Sequence, residues 1–382
     1  MIYDERGVLA MDKLNWVMND FINKEFYAPF VVDKDDDYYK ALQKKYKLFY
    51  EISETAGADK ISLQIIKSYG KRICEAIRSY YGGNISTANR KIKNIVSDCI
   101  DHSYAVSPII NSEAFKGIKG TELQLFRGRL CTDSIKYTAK DMLHIPFSRR
   151  GYTKNNRFSI SGLPCLYVGN SSYVCWLELE KPNEMDLIVS PILVKDTVKI
   201  LNLAVMNRDF SKLHEFKAED VHCWIKLLLL MIATSYRVNE KNRIFHSEYI
   251  VSQAIMLACK ELNVDGVAYY SNRTDDHIFA STAINVALLA SYKYGQEYSD
   301  LCKEIKIGNP INYGFYRQLN GVERNKYHMY ELRSIRTGFP SNIGYYDRQF
   351  EYANTDFCEF DRFLFGGWEK EKIEYGNALN LT

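Results

Sequence analysis

Between Arg157 and Glu178 the chain reads R-F-S-I-S-G-L-P-C-L-Y-V-G-N-S-S-Y-V-C-W-L-E. One short span holds an arginine, a Ser-x-Ser pair, a tyrosine and a glutamate. Those types suit binding of a dinucleotide and cleavage of the bond at its nicotinamide ribose. Such cleavage builds positive charge on the sugar, as in glycoside cleavage. A fixed carboxylate near the reacting carbon stabilises that charge and orients the incoming nucleophile. A pyrophosphate needs guanidinium or backbone N–H donors, and arginine offers a bidentate fork. The nicotinamide and adenine rings want aromatic or apolar faces.

Each residue type also has a plainer use. Glu178 is the candidate carboxylate, against an ordinary exposed helical glutamate. Arg127 and Arg157 are candidate phosphate ligands. An arginine inside an apolar strand such as L-F-R needs a partner, however, and Glu178 could be that partner structurally. Tyr167 is either a ring-stacking residue or a core tyrosine. Ser271 can bond a ribose or phosphate or simply shape a turn, and Ser159 is a further candidate polar contact. His144 in H-I-P-F reads as structural. No histidine pairs with a cysteine or acid cluster at ligand spacing, so no metal site emerges. G-I-K-G near Lys119 lacks the G-K-[ST] that a phosphate loop requires.

Local signals say how these side chains are placed. Gly162 and Pro164 mark a tight turn. L-Y-V reads as a short buried strand. Ser171 or Ser172 caps a helix that ends near Glu178, with Trp176 and Leu177 expected as an apolar wall that excludes water. Glu178 and Glu180 would point about 200° apart on a helix, so only one can face the sugar.

Three blocks of the sequence, in order, resemble the RES family, named for a characteristic arginine, glutamate and serine. Arg127 in L-F-R-G-R falls on the family's first arginine. Arg157, Gly162, Pro164, Leu166 and Tyr167 match its central segment, and Glu178 follows the tyrosine by eleven residues. Y-I-V-S-Q, then D-G-V-A-Y-Y-S, match its last block, placing Ser271 on the serine. The resemblance runs from roughly Leu123 to Ala290, under half of the chain. It implies an ADP-ribosyltransferase-like fold and an NAD-consuming enzyme, NAD being substrate rather than cofactor. Many members are toxins that deplete NAD by hydrolysis or phosphorolysis, so an inhibitory antitoxin or regulatory protein is an implied partner. Tyr137 lies ten residues after Arg127, where relatives often place an aromatic.

A mono-ADP-ribosyltransferase remains the rival enzyme. S-I-S at Ser159–Ser161 resembles the S-x-S of arginine-type transferases, and E-L-E at Glu178–Glu180 their E-x-E, in which the second glutamate is catalytic. A non-catalytic nucleotide-sensing module is the third reading.

Composition narrows the setting. The 382 residues are 46% hydrophobic and carry a net charge of +3, which favours neither nucleic acid nor an acidic membrane surface. Nine cysteines lack any C-x-x-C pair, which suggests free thiols in a reducing cytosol. M-I-Y-D-E-R-G has no apolar signal core, and the run Leu227–Ala233 is too short to span a bilayer. Twenty-nine tyrosines and nineteen phenylalanines point to core packing before a stacking pocket.

The expected fold class is α+β: a helical region over 1–120, docked on a mixed-sheet catalytic domain with flanking helices over 121–382. Leu14, Val17, Phe21 and Phe26 suggest a first helix. Ile66, Tyr69, Ile73, Ile77 and Tyr80 make an apolar stripe, ended by Gly82 and Gly83. Ser86 or Thr87 is expected to cap the next helix. K-K-Y-K and N-R-K-I-K read as solvated helix faces. Helices are expected at Glu219–Tyr236 and Ser247–Leu262, with strands at L-I-V-S-P-I-L-V, V-K-I-L-N-L and Val267–Tyr270. Near the C-terminus, Y-E-L-R-S-I-R and D-R-F-L-F are expected strands. The N-terminal stripe needs an apolar partner: the catalytic part or a second copy in a homo-oligomer.

Overall fold

The computed structural model describes residues 26–370 apart from 27, 33–36, 116–119, 132–136, 206–216, 239, 241–242, 275–281, 333–341 and 346–347. The expected first helix over Leu14–Phe21 lies outside these residues. A short strand, β1 (Phe30–Val32), precedes three helices: α1 (Tyr38–Thr55), α2 (Lys60–Tyr81) and α3 (Ile85–Ser97). Each begins on a side chain that accepts an N–H the first turn leaves free. Asp37 accepts from Tyr39, Asp59 from Ile61 and Ser62, and Asn84 from Thr87. Ser86 and Thr87 therefore lie inside the third helix, and Asn84 caps it.

The chain continues through β2 (Val106–Pro108), β3 (Glu122–Leu130), β4 (Cys165–Gly169), α4 (Ser172–Glu178), β5 (Leu187–Lys195) and β6 (Lys199–Asn202). Then come α5 (Ala218–Thr234), β7 (Tyr236–Val238), α6 (Ile250–Glu261), β8 (Gly266–Tyr270) and β9 (Ile284–Leu289). The C-terminal part adds β10 (Ile305–Ile307), β11 (Ile311–Asn312), α7 (Tyr313–Gln318), α8 (Gly321–Arg324), the antiparallel pair β12 (Asn342–Tyr345) and β13 (Arg348–Glu351), and α9 (Asp356–Lys370).

The main sheet is mixed, in the order β10-β5-β3-β4-β9-β8-β6-β2, with β11 also on β5. All its pairings are antiparallel except β6 with β8. β3 pairs with β5 along its whole length, but with β4 only through Phe126 and Gly169. The sheet therefore opens between β3 and β4. β1 pairs in parallel with β7, outside the main sheet. The region read as helical thus also supplies two strands, one of them β2 on the sheet edge.

β5 shows how the two faces are packed. Ile188, Ile192 and Val194 point into one core, Leu187 and Val189 into another. This is the period of two that alternate strand faces impose. The first core is mainly aliphatic and includes α1–α3, α5 and α6. Ile66, Ile73 and Ile77, the stripe noted in the sequence, are buried in it. The Tyr38 and Tyr46 hydroxyls donate to the Ala233 and Leu229 carbonyls of α5, each at 2.7 Å, tying α1 to that helix.

The second core is aromatic and forms around α4, α7 and α9. Here the structure corrects the sequence reading. D-R-F-L-F lies within α9, not in a strand. Phe357, Phe360, Leu364 and Trp368 recur at helical spacing and are all buried. Tyr330–Leu332 form no strand, and the rest of Y-E-L-R-S-I-R lies outside the described residues. Trp176 and Leu177 belong to this core, the indole lying 5.6 Å from the Phe357 ring, so they do not wall a site. All nine cysteines are free thiols. Among the described residues no helix is long and apolar enough to cross a membrane.

Candidate active site

The opening between β3 and β4 places Arg127. Its guanidinium reaches across the gap and donates to the Tyr167 carbonyl at 2.8 Å. Its Nε is buried with no hydrogen-bond partner among the described residues. Burial, with Arg129 nearby, pushes its pKa down to about 10, so it stays charged at neutral pH. No carboxylate pairs with it among the described residues. The structural alternative, in which Glu178 neutralises Arg127, is not the arrangement seen.

Glu178 sits at the last position of α4. The Ser171 hydroxyl caps that helix by accepting from the Val174 N–H at 3.2 Å. The middle of α4 lies against β3, where the Cys175 thiol donates to the Phe126 carbonyl at 3.3 Å. A Cβ on Gly128 would come within 2.8 Å of the Cys175 Cβ, so the close approach needs a glycine there. Glu178 lies one turn beyond Cys175 on the same helix face. Its Oε1 accepts from Ser271 Oγ and from Asn285 Nδ2, each at 2.7 Å. Its Oε2 makes no hydrogen bond among the described residues, and the side chain is half-buried.

Sheet register brings these pieces to one place. Phe126, Gly169, Asn285 and Tyr269 line up across β3, β4, β9 and β8. Arg127 follows the first of them, Asn285 holds Glu178, and Ser271 lies just past the end of β8. Arg157 approaches from the loop before β4 and donates to the Tyr270 carbonyl at 2.6 Å. Its guanidinium lies 4.5 Å from the centre of the Tyr269 ring, which in turn stacks on Phe158 at 4.3 Å. The Tyr167 hydroxyl donates to the Phe158 carbonyl. Arg157, Tyr167, Ser271 and Glu178 are thus linked through β8 and its neighbours. Burial raises the Tyr269 and Tyr249 hydroxyls above the ordinary phenol range, so both are neutral at pH 7.

Other candidates stand apart. Ser159 is buried and closes its own turn, donating to the Asn156 carbonyl at 2.9 Å and accepting from the Asn156 N–H at 3.1 Å. Tyr137 donates to the Leu130 carbonyl at 3.1 Å and lies under Arg129. His144 has both ring nitrogens engaged: Nε2 accepts from the Ser299 N–H at 3.0 Å, which leaves Nδ1 to donate to the Ile145 carbonyl at 2.8 Å. Arg129 is half-buried and donates to the Leu143 carbonyl at 3.1 Å.

After α4 the chain turns through two left-handed residues, Glu180 (φ 64°) and Lys181 (φ 57°). Side chains with a Cβ rarely adopt that conformation. The turn sends Glu180 to the surface, where it pairs with Arg273 at 3.2 Å. Sequence reasoning missed Asn285. Its signal is a lone amide inside the buried strand I-N-V-A-L-L, where a polar side chain needs a partner. It also passed over Tyr249, in Y-I-V-S-Q, although the charges of Arg157, Arg273 and Glu178 all act on its hydroxyl.

Comparison with known proteins gives limited matches. No family model matches the chain. It is 27% identical over 256 residues to "Putative toxin YopC" of Bacillus subtilis (strain 168), which covers 63% of this chain and 54% of that protein. The chain therefore spans about half the length of that curated relative. A solved structure, described as the crystal structure of the M.tuberculosis MbcT-MbcA toxin-antitoxin complex, shares 12% identity with a TM-score of 0.31. That alignment covers 60% of this chain and 96% of the other.

Proposed function

We propose that this chain is an NAD-consuming enzyme of RES type that breaks the nicotinamide–ribose bond and acts as a toxin. One observation carries the reading. The Glu178 carboxylate is fixed through Oε1 by Ser271 and Asn285, while among the described residues Oε2 takes no hydrogen bond, beside a gap in the sheet that withdraws the Arg127 guanidinium from water without a carboxylate among those residues. A buried guanidinium without an acid is costly unless an anion completes it. A pyrophosphate supplies that anion, with Arg157 as the second ligand. Tyr167, half-buried on β4, offers an aromatic face beside it.

In the reaction, the bond from the sugar carbon to the nicotinamide nitrogen breaks and its electron pair leaves with neutral nicotinamide. Oε2 faces the cation left on the ribose. Ser271 and Asn285 hold the other oxygen, Oε1, so the carboxylate need not reorient as charge develops. Water or inorganic phosphate then forms the new bond to the sugar carbon. The similarity to a protein named as a toxin supports the biological half of the proposal, and a protein that drains NAD needs a restraining partner in its own cell.

Transfer of ADP-ribose to a macromolecule, with Glu180 as the catalytic residue, would require Glu180 to leave Arg273 and reverse its direction. The test uses purified protein and adenine-labelled NAD. Label in free ADP-ribose or its phosphate ester is the expected result. Label bound to protein or nucleic acid would replace this reading with the transferase. Absence of turnover, with NAD still bound, would replace it with the sensing module.

A further inference from the structure

The helix that carries Glu178 is held from outside the span that resembles the RES family. α4 has seven residues, too few to keep its orientation through its own hydrogen bonds. Its early N–H groups need partners from elsewhere. The Ser171 hydroxyl takes one. The Ser172 N–H goes to Asp361 Oδ1 on α9 at 3.1 Å, and the Ser172 hydroxyl to the Phe357 carbonyl at 3.4 Å. Ser172 and Asp361 are completely buried, so water cannot substitute for either. The Tyr352 hydroxyl donates to Asp361 Oδ2. The Phe357 ring lies 5.3 Å from Tyr173 and 5.6 Å from Trp176, clamping one side of α4. Glu178 follows Ser172 by six residues, about 9 Å along the helix axis.

We infer that Asp361 is a positioning residue, which sets the axis of α4 through the Ser172 amide and so fixes where the Glu178 carboxylate stands. The C-terminal helix then belongs to the catalytic apparatus. The inference rests on the reading of Glu178 as the carboxylate that faces the sugar.

The same contact makes the arrangement pH-dependent. Burial pushes the Asp361 carboxyl up to about 7, against the opposing pull of its hydrogen bonds to Ser172 and Tyr352 and of Arg362. The titratable groups facing it are Tyr352 ahead of α9, Cys358 and Arg362 on α9, Cys175 on α4 and Tyr316 on α7. Burial raises the tyrosines and cysteines, so they stay neutral near pH 7. Asp361 is the member of this set that titrates there. Its folded pKa lies above the usual carboxylate value. The neutral carboxyl therefore favours the docked helix, and that contribution is lost as pH rises through about 7.

The experiment measures NAD turnover by the full chain against pH for wild type, Asp361→Ala, Asp361→Asn and Tyr352→Phe. In Asp361→Ala, kcat is expected to fall roughly 10²-fold, the effect of about a 1 Å misplacement of a reacting group, with KM far less changed. Asp361→Asn keeps an acceptor for Ser172 and cannot ionise. It restores most of kcat and stays flat where wild type declines as pH rises through about 7. Wild-type kcat in Asp361→Ala, or the wild-type alkaline decline in Asp361→Asn, overturns the inference. If Asp361→Ala does not fold, the profiles of Asp361→Asn and Tyr352→Phe decide. Amide exchange over Ser172–Glu178 separates the two claims: above pH 7 it should be faster in wild type than in Asp361→Asn. Equal exchange sinks the positioning role even if NAD is cleaved. A difference with no NAD cleavage upholds positioning and removes the proposed chemistry.

Discussion

The two faces of the central sheet are packed with different materials, and each face holds a different part of the candidate site. On one, Ile188, Ile192 and Val194 meet the aliphatic helices α5 and α6 and the N-terminal helices beyond them. β8 and Phe158 belong to this core, so it sets the approach of Arg157 and Ser271. On the other, Leu187 and Val189 meet Tyr313, Tyr352, Phe357, Phe360 and Trp368. That core grips α4 and therefore Glu178. The candidate site draws on both cores, so damage to either should reach it by a different route.

The largest effect is expected from deleting residues 1–119, which removes α1–α3 and the edge strand β2. It uncovers the buried faces of α5 and α6, a large exposed apolar patch of the kind that drives aggregation. The truncated chain should be recovered mainly as aggregate on size exclusion. A soluble monomer of unchanged activity would make the N-terminal part an independent module. Next, Glu178→Gln should lower NAD cleavage by about 10²–10³ with an unchanged circular dichroism spectrum, since an amide cannot offset positive charge on the sugar.

A pair of core variants sharpens the contrast. Ile73→Ala should cost about 2–5 kcal/mol and Phe357→Ala about 3–5 kcal/mol in chemical denaturation. Only Phe357→Ala should also reduce kcat per folded molecule, because Phe357 touches α4. Equal kcat in the two variants would mean that the aromatic core does not control the Glu178 helix. Arg127→Ala and Arg157→Ala should each weaken kcat/KM for NAD by about 10- to 100-fold, the size of a lost hydrogen bond to a charged group. Lys154→Ala, an exposed charge in the loop before Arg157, is the control and should change little. The smallest effect is expected from Glu180→Gln. Its pairing with Arg273 is exposed, and such pairs contribute about 0.2–1 kcal/mol. A dead Glu180→Gln beside an active Glu178→Gln would transfer the catalytic role to Glu180.

The aliphatic face was the more legible in the sequence. Ile66, Ile73 and Ile77 announce their helix by spacing, and Leu227–Ala233 announces a buried one by its continuous run. The strands β4, β5 and β8 and the short helix ending at Glu178 were also readable, because turn residues punctuate short apolar runs there. The aromatic face was not. Phe, Tyr and Trp favour strands locally, so D-R-F-L-F read as a strand. Its helical period shows only when Phe357 and Trp368 are counted with it. Of the candidate site, Arg127, Arg157, Glu178 and Ser271 are legible from motif order. Asn285 was lost in an apolar stretch. Asp361 lies 183 residues beyond Glu178 (361 − 178), and only folding brings it to α4. The Ser159 and Tyr137 hydroxyls donate to nearby carbonyls, contacts that no sequence motif announces.

The central claim is that this chain cleaves the nicotinamide–ribose bond of NAD. The most direct measurement is the release of free nicotinamide from NAD by the purified full chain, followed by chromatography with and without inorganic phosphate. The account predicts steady release by wild type and its near-complete loss in Glu178→Gln. ADP-ribose as the other product marks water as the nucleophile, and a phosphorylated ADP-ribose marks phosphate. No nicotinamide from the wild-type protein under either condition would contradict the account.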